Sequence, residues 1–229
     1  MKHFYAEIIL FYVLLAVLVA TGLGFFIWHK YSKNNSSPIT IPLIQPTNKV
    51  EIPKVSQYQV PILMYHYIRD ASGESELGKN LSVSPQNFEA HVKYLKENNY
   101  ETLKLVDLSD PEKKTLSKII FEKKKPIVLT FDDGYADAYS QAWPILKKYD
   151  FVGTFFIIRN YVGKDNYMTQ SQINELAKAG MEIGSHSLTH PDLTKISPDD
   201  AQSQIATSKE NALTFCYPSG KYNPAIVKL

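Results

Sequence analysis

Two groups of polar side chains in this sequence combine residue types that bind metals and move protons. Asp132 and Asp133 stand side by side, between an apolar run and Gly134, in the stretch PIVLTFDDGYADAY. His186 and His190 lie four residues apart in EIGSHSLTH. Adjacent carboxylates at the end of a buried run cost free energy unless something nearby needs their charge. Histidines at this spacing face one side of a helical turn or of a compact loop.

Two histidines and one carboxylate are a recurrent ligand set of hydrolytic zinc sites, in which a fourth position stays open for water. A metal lowers the pKa of such a water and polarises a substrate carbonyl. One of the two aspartates can therefore be a ligand while its neighbour remains free as a general base. Taken singly, Asp-Asp-Gly is also typical of a solvated turn, and two histidines at this spacing are also typical of surface residues. Their joint occurrence favours a site.

Strands that alternate with helices are predicted around both groups. The predicted strands cover residues 60–66, 100–105, 127–131, 154–158, 182–185 and 214–217. Helix starts are predicted at Ser84, Asp110, Thr169 and Ser197. This alternation indicates an α/β fold with a parallel sheet, open or closed into a barrel. Because residues just past the carboxyl ends of such strands point into the active site, both polar groups are expected at one site.

Composition limits the classes of protein that fit. A chain of 229 residues can form one sizeable core. Its net charge of +2 gives no indication of a nucleic-acid partner. Cys216 is the single cysteine, which excludes an internal disulfide and a cysteine-rich zinc site. Its apolar surroundings, LTFCY, predict a buried strand thiol and not a nucleophile.

The N-terminal residues 1–30 are predicted to form a transmembrane anchor. Residues 8–28 are almost wholly apolar, and about 20 such residues span a bilayer. A cleaved signal peptide is the alternative, but the apolar run continues past the small residues Ala20 to Gly22. Residues 31–58 hold four prolines among polar residues and are predicted to be an extended linker. We expect residues 59–229 to be an extracellular domain of a single-pass cell-membrane protein, although lysines on both sides of the span leave its orientation open.

The stretches TFDDGYADAY and EIGSHSLTH resemble the first two motifs of the polysaccharide deacetylases, carbohydrate esterase family four. The resemblance covers roughly residues 60–229. It implies a distorted (β/α) barrel and the removal of N- or O-acetyl groups from glycans with a divalent metal. Zinc is the expected ion, with cobalt, nickel and manganese as alternatives. By motif, Asp132 matches the catalytic base, and Asp133, His186 and His190 match the metal ligands.

Two further segments fit this resemblance. VPILMYHYI resembles the strand that opens the domain in membrane-linked or secreted deacetylases, including those that act on poly-N-acetylglucosamine. It implies that His66 projects into the site as a catalytic residue; a strand-end histidine satisfied by hydrogen bonds is the alternative. FCYPSGKYN stands in the place of the third motif, without the arginine of many members. It implies that Tyr217 and Pro218 wall a substrate groove. His91, on the apolar face of a predicted helix, is expected to be structural.

The chain also departs from the family pattern. Family members continue with an acidic-aromatic segment and a Leu-x-x-His segment that supplies a general acid, and neither occurs before Leu229. The link between residues 211 and 214 also looks shorter than in the family. We therefore expect a barrel that is incomplete at the C-terminus, with low stability and weak activity.

Together these observations predict a metal-dependent hydrolase that removes acetyl groups from N-acetylglucosamine units of a cell-surface or extracellular polysaccharide. Its expected partners are that polysaccharide and, through the N-terminal helix, the membrane, with no nucleic acid. A truncated, catalytically weak glycan-binding pseudoenzyme on the membrane is the alternative from another class. An amide hydrolase with a small non-sugar substrate is a third hypothesis, which an anchor and a linker do not favour.

Overall fold

The computed structural model describes residues 59–229. The predicted anchor, residues 1–30, and the predicted linker, residues 31–58, lie outside the described residues. From residue 59 onward, no helix combines the length and the apolar character needed to cross a membrane.

Strands and helices alternate along the described part of the chain, which confirms the predicted α/β class. The strands there are β1 Ile62–Tyr65, β2 Tyr67–Ile68, β3 Ser82–Val83, β4 Tyr100–Thr102, β5 Lys125–Phe131, β6 Thr154–Ile157 and β7 Glu182–Ser185. The α-helices there are α1 Glu76–Leu81, α2 Pro85–Glu97, α3 Lys114–Phe121, α4 Trp143–Lys148, α5 Gln170–Lys178 and α6 Pro198–Lys209.

β5 is the central strand of a five-stranded parallel sheet. β1 pairs with its second half, with Tyr65 opposite Phe131, and β4 pairs with its first residues. β6 pairs with the end of β5, and β7 pairs with β6 along its whole length. β2 and β3 form a separate two-stranded parallel sheet. Because all these pairs are parallel, β1, β5, β6 and β7 end at one edge of the main sheet.

The pairings within residues 59–229 form an open sheet in the order β1-β5-β6-β7, with β4 beside β5, and do not close it into a barrel. The predicted strand at 214–217 is reduced to a single bridge between Phe215 and Ser185. Two backbone hydrogen bonds accompany this bridge, from Ser185 to the carbonyl of Thr214 and from Cys216 to the carbonyl of Ser185. Pro218 follows at once, and a proline has no N–H to continue a ladder.

Three of the four predicted helix starts are confirmed by their caps. The side chains of Ser84, Thr169 and Ser197 each accept a hydrogen bond from the backbone three residues on. The fourth prediction was displaced, since α3 begins at Lys114. The carboxylate of Asp110 accepts hydrogen bonds from the backbone of Glu112 and Lys114 and so closes a turn before the helix.

An aromatic core fixes the end of β5. Phe131 is fully buried and stacks on Phe155 and Tyr65, with ring centroids 4.7 and 5.6 Å away. Burial of such a side chain contributes about 1.5–3 kcal/mol. Val128, on the opposite face of the strand, packs in a second cluster with residues of α3. The residue that follows Phe131 is thus held on a strand packed on both faces.

Candidate active site

The two adjacent aspartates follow β5 directly and are both buried. Asp133 and Gly134 adopt φ angles of 72° and 79°, in the left-handed region that favours glycine. A side chain at position 134 would also approach the side chain of Ile157 to 3.2 Å. This turn directs the two carboxylates to different neighbours. Asp133 faces the histidines, whereas Asp132 faces Cys216.

The two histidines are brought together by a compact loop after β7, and not by a helical turn. His186 follows the strand and donates its backbone N–H to the carbonyl of Ile157. Ser187 and His190 have φ angles of 65° and 60°, and the Ser187 hydroxyl accepts from the His190 backbone. The Gln204 side chain on α6 accepts from the two backbone N–H groups between them. The loop is therefore fixed from both sides.

Three metal-ligating atoms converge between this loop and the turn after β5. The Nε2 atoms of His186 and His190 lie 3.3 and 3.4 Å from Asp133 Oδ1. His186 Nδ1 lies 2.8 Å from the carbonyl oxygen of Cys216. Because a carbonyl only accepts, Nδ1 carries a proton, which leaves Nε2, beside Asp133, as the ring nitrogen that can bind a metal. Buried Asp133 Oδ1 has no hydrogen-bond donor among the described residues. A divalent cation fits this set of ligands and would satisfy that oxygen.

The surroundings shift the pKa values of the two aspartates in opposite directions. Burial raises the pKa of Asp132 above its ordinary value, although His186 and His66 act against it. Burial would also raise the pKa of Asp133, but its contacts with His186 and His190 outweigh that effect and lower it. Two neighbouring carboxyl groups whose pKa values are shifted apart suit two different roles, one as a metal ligand and the other as a proton acceptor.

One cavity of about 930 Å³ is lined by both aspartates and both histidines, Asp132, Asp133, His186 and His190. His66, between β1 and β2, also lines the cavity. Within residues 59–229 its ring takes part in no hydrogen bond, so the alternative of a histidine satisfied by its neighbours gains no support there. Its position beside the aspartates is what a proton-transfer role requires. The role itself stays a prediction.

The two residues predicted to wall the groove differ in position. Tyr217 lines the cavity, whereas Pro218 is buried and is not part of its lining. Ser219 and Gly220 line it in place of Pro218. His91 is exposed on α2, outside the cavity, with its Nδ1 atom 3.4 Å from the Tyr65 hydroxyl. The prediction that His91 lies on the apolar face is therefore wrong, while its contact with buried Tyr65 agrees with a structural role.

Sequence reasoning missed the contact of Cys216 with the site. The residue was predicted to be a buried strand thiol, but it is half-buried, and its Sγ lies 3.3 Å from Asp132 Oδ2. The thiol donates to the carboxylate. The two residues are 84 positions apart, and no local pattern connects them. Tyr67, Tyr135, Tyr161 and Tyr167, which also line the cavity, were missed for the same reason.

Comparisons with known proteins agree with the two motifs. A family model described as polysaccharide deacetylase matches residues 121–229. YxkH of Bacillus subtilis (strain 168), which bears the name of a polysaccharide deacetylase, is 36% identical over 182 residues, or 74% of this chain and 60% of YxkH. A poly-beta-1,6-N-acetyl-D-glucosamine N-deacetylase of Staphylococcus aureus (strain MSSA476) is 30% identical over 181 residues, or 70% of this chain and 58% of that protein.

A solved structure adds a comparison of folds. The deacetylase PplD of Streptococcus pyogenes, in complex with acetate, is 32% identical with a TM-score of 0.60. The match covers 74% of this chain and 77% of PplD. The chain belongs to the polysaccharide deacetylase family, as the resemblance implied. It spans about three-fifths of the length of the two curated relatives.

Proposed function

We propose that residues 59–229 form the catalytic domain of a metal-dependent deacetylase. Its substrate is a polysaccharide with N-acetylglucosamine units, and its products are acetate and a free amine. The observation that carries the proposal is the convergence of Asp133, His186 and His190 on one point, with the separately held carboxylate of Asp132 beside it. The name of the Staphylococcus aureus relative supports this class of substrate, and the acetate in the Streptococcus pyogenes structure supports this product.

The metal would be held by Asp133 Oδ1 and by the Nε2 atoms of both histidines. Zinc is the expected ion, because two imidazoles and one carboxylate are a ligand set of hydrolytic zinc sites. When bound, the ion supplies a Lewis acid for the acetyl carbonyl and lowers the pKa of a water. The hydrogen bond from His186 Nδ1 to the Cys216 carbonyl holds that ring in the orientation required of a ligand.

The reaction adds water across the amide bond. Asp132 accepts a proton from the attacking water, and its raised pKa brings it closer to the working pH of a general base. A hydroxyl group becomes bonded to the acetyl carbon, the carbon–nitrogen bond breaks, and a proton passes to the leaving nitrogen. His66 is the residue that we assign to this second proton transfer, since it lines the same cavity.

The proposal extends to the whole chain. Residues 8–28 anchor it in the cell membrane, and the linker holds the catalytic domain outside the cell, near a polymer too large to enter. The apolar run and the prolines of the sequence support this arrangement. The parallel sheet is part of a distorted (β/α) barrel, for which the family membership is the support.

A panel of substrates tests the proposed activity. The full chain would be incubated, with zinc, cobalt, nickel or manganese, on peptidoglycan, poly-N-acetylglucosamine, chitin oligomers and acetylxylan, and released acetate would be measured. We expect release from at least one N-acetylated glycan by the wild type and by the control His91→Ala, and its loss in His190→Ala. A protein that binds these glycans and a metal but releases no acetate would be the non-catalytic pseudoenzyme instead.

A further inference from the structure

Three side chains of the cavity form a second group of metal-ligating atoms. Asp132, His186 and Cys216 each offer one such atom, and these atoms lie within 4.8 Å of one another. All three residues line the cavity that contains the proposed metal ligands. We call them the thiol set, because one member is a sulfur atom, and we call Asp133, His186 and His190 the imidazole set.

The carboxylate of Asp132 has a free oxygen in this group. The residue is 4% exposed, and its Oδ1 atom is buried without a hydrogen-bond partner among the described residues. Its Oδ2 atom lies 3.3 Å from Cys216 Sγ. A buried polar atom without a partner costs free energy. A cation bound between this carboxylate and the sulfur would remove that cost.

Backbone contacts hold the thiol in place before any ion binds. Cys216 donates its N–H to the carbonyl of Ser185, and Phe215 forms a bridge with Ser185. The carbonyl of Cys216 accepts in turn from His186 Nδ1. Two members of the thiol set are thus joined through the backbone, so that little conformational entropy is lost when an ion binds.

Charge and ligand type distinguish the two sets. A thiolate, a carboxylate and a neutral imidazole carry two negative charges, which neutralise a buried divalent cation completely, whereas the imidazole set carries one. Sulfur ligands favour soft ions, while nitrogen and oxygen ligands suit harder ones. The thiol set therefore suits a divalent cation that prefers sulfur, such as cadmium.

The two sets cannot be filled at once, because they share His186. The Nδ1 atom of that ring donates to the Cys216 carbonyl, so one nitrogen remains for a metal. An ion in the thiol set would also hold Asp132, to which we assign the transfer of a proton from water. Such an ion would therefore displace the catalytic metal and occupy the general base.

We propose that the thiol set is an inhibitory site for thiophilic divalent cations, which bind there in competition with the metal of the imidazole set. On binding, the sulfur–hydrogen bond of Cys216 breaks, its proton passes to the solvent, and the sulfur bonds to the ion. The inhibition rests on the proposed function, but occupancy of the thiol set can be measured without substrate.

Titration of the metal-free full chain with cadmium tests the site, through the ultraviolet absorption of a cadmium–thiolate bond. Because Cys216 is the single cysteine, this absorption reports on it alone. We expect the wild type and the control His91→Ala to reach full absorption with one cadmium per chain. Asp132→Ala and His186→Ala should each raise the cadmium concentration at half-maximal absorption roughly tenfold or more, since loss of even an outer partner of a metal costs that much. His190→Ala alters only the imidazole set and should keep the affinity of the wild type.

Zinc tests the competition. Zinc bound beforehand should raise the cadmium concentration at half-maximal absorption in the wild type, and zinc should leave the protein as the absorption grows. The effect should be much smaller in His190→Ala, which lacks a ligand of the imidazole set. Cadmium should also stop acetate release by the wild type, and Cys216→Ser should need more cadmium for the same inhibition.

The outcomes separate the two claims. No thiolate absorption in the wild type would overturn the thiol set, and so would an unchanged affinity in Asp132→Ala and His186→Ala, because cadmium would then bind a lone thiol. One zinc and one cadmium bound together in the wild type would overturn the competition. The measurements on the wild type do not depend on whether any variant folds. Absorption and competition without acetate release would support the thiol set and overturn the proposed activity.

Discussion

His186 uses its two ring nitrogens for different partners. Nδ1 donates to the carbonyl of Cys216, and Nε2 faces Asp133. Metal-ligating histidines commonly donate their other N–H in this way, which fixes the tautomer and the ring orientation. The bridge between Phe215 and Ser185 keeps that carbonyl in place. The segment around Cys216 thus shapes the site through its backbone.

The two aspartates are expected to respond differently to the same substitution. Asp132→Asn should retain bound metal but lose turnover by ~10²-fold or more, because a general base contributes that much. Asp133→Asn should weaken metal binding, because it alters a ligand. Elemental analysis and acetate release, measured on each purified variant, distinguish the two effects. The opposite pattern would show that the roles of Asp132 and Asp133 are exchanged.

The thiol of Cys216 is expected to orient the carboxylate of Asp132. Cys216→Ala removes the donor to Asp132 Oδ2 and should lower kcat roughly tenfold, a common cost for the loss of a hydrogen bond to a charged group. Cys216→Ser retains a donor and should keep most of the activity. KM should change little in either variant. Equal kcat values for the wild type and both variants would remove Cys216 from the mechanism.

At the scale of secondary-structure elements, the carboxylate of Glu182 joins several segments. Glu182 is buried at the first position of β7 and accepts hydrogen bonds from the backbone of Val106 and from the hydroxyls of Thr154 and Thr214. The segment after β4, strand β6 and the segment that leads to Cys216 therefore share one acceptor. This network lies at the amino end of β7, whereas His186 follows its carboxyl end.

Replacement of Glu182 should destabilise the domain without removing metal from the folded protein. Glu182→Ala leaves three donors without their acceptor, at a cost of about 3 kcal/mol or more, and a change of 1 kcal/mol shifts Tm by roughly 2–4 °C for a domain of this size. Thermal unfolding would be compared with Glu112→Ala, an exposed residue whose replacement should cost less than about 0.5 kcal/mol. Unchanged Tm in Glu182→Ala would mean that the network contributes nothing to stability.

Local patterns predicted the elements whose pairing continues over several residues. The strand at 182–185 has the predicted bounds, and all four of its residues pair with β6. The segment 214–217 is more apolar but forms one bridge only. Pro218, which the sequence shows, ends this pairing, but the position of the neighbouring strand is decided by distant residues, which a local pattern does not contain.

The same distinction applies to the site. The structure brings Asp132, Asp133, His186 and His190 together, and this proximity could be predicted because each pair lies within a short motif after a strand. By contrast, Cys216, which contacts Asp132, and the cavity residues Tyr67, Tyr135, Tyr161 and Tyr167 were missed. Together with Asp132, these residues lie on four separate segments of the chain. Their proximity is decided by the packing of the loops, so sequence spacing gave no signal for them.

At the scale of the whole molecule, the anchor of residues 8–28 remains a prediction. We expect the full chain to stay in the membrane fraction after a high-salt wash, because about 20 apolar residues span the hydrocarbon core. Protease added outside intact cells should cut the linker and release the catalytic domain. N-terminal sequencing of the mature chain tests the alternative. A chain that begins after Ala20 or Gly22 would show that the segment is a cleaved signal peptide.

Metal dependence of acetate release is the most direct measurement of the central claim. The full chain would be treated with a chelator, dialysed, and assayed on poly-N-acetylglucosamine before and after one equivalent of zinc is restored. The account predicts no release from the metal-free protein and recovery with zinc, with no recovery in His186→Ala, which lacks a ligand. Equal rates of acetate release with and without metal, or no release from a protein that holds one zinc per chain, would contradict it.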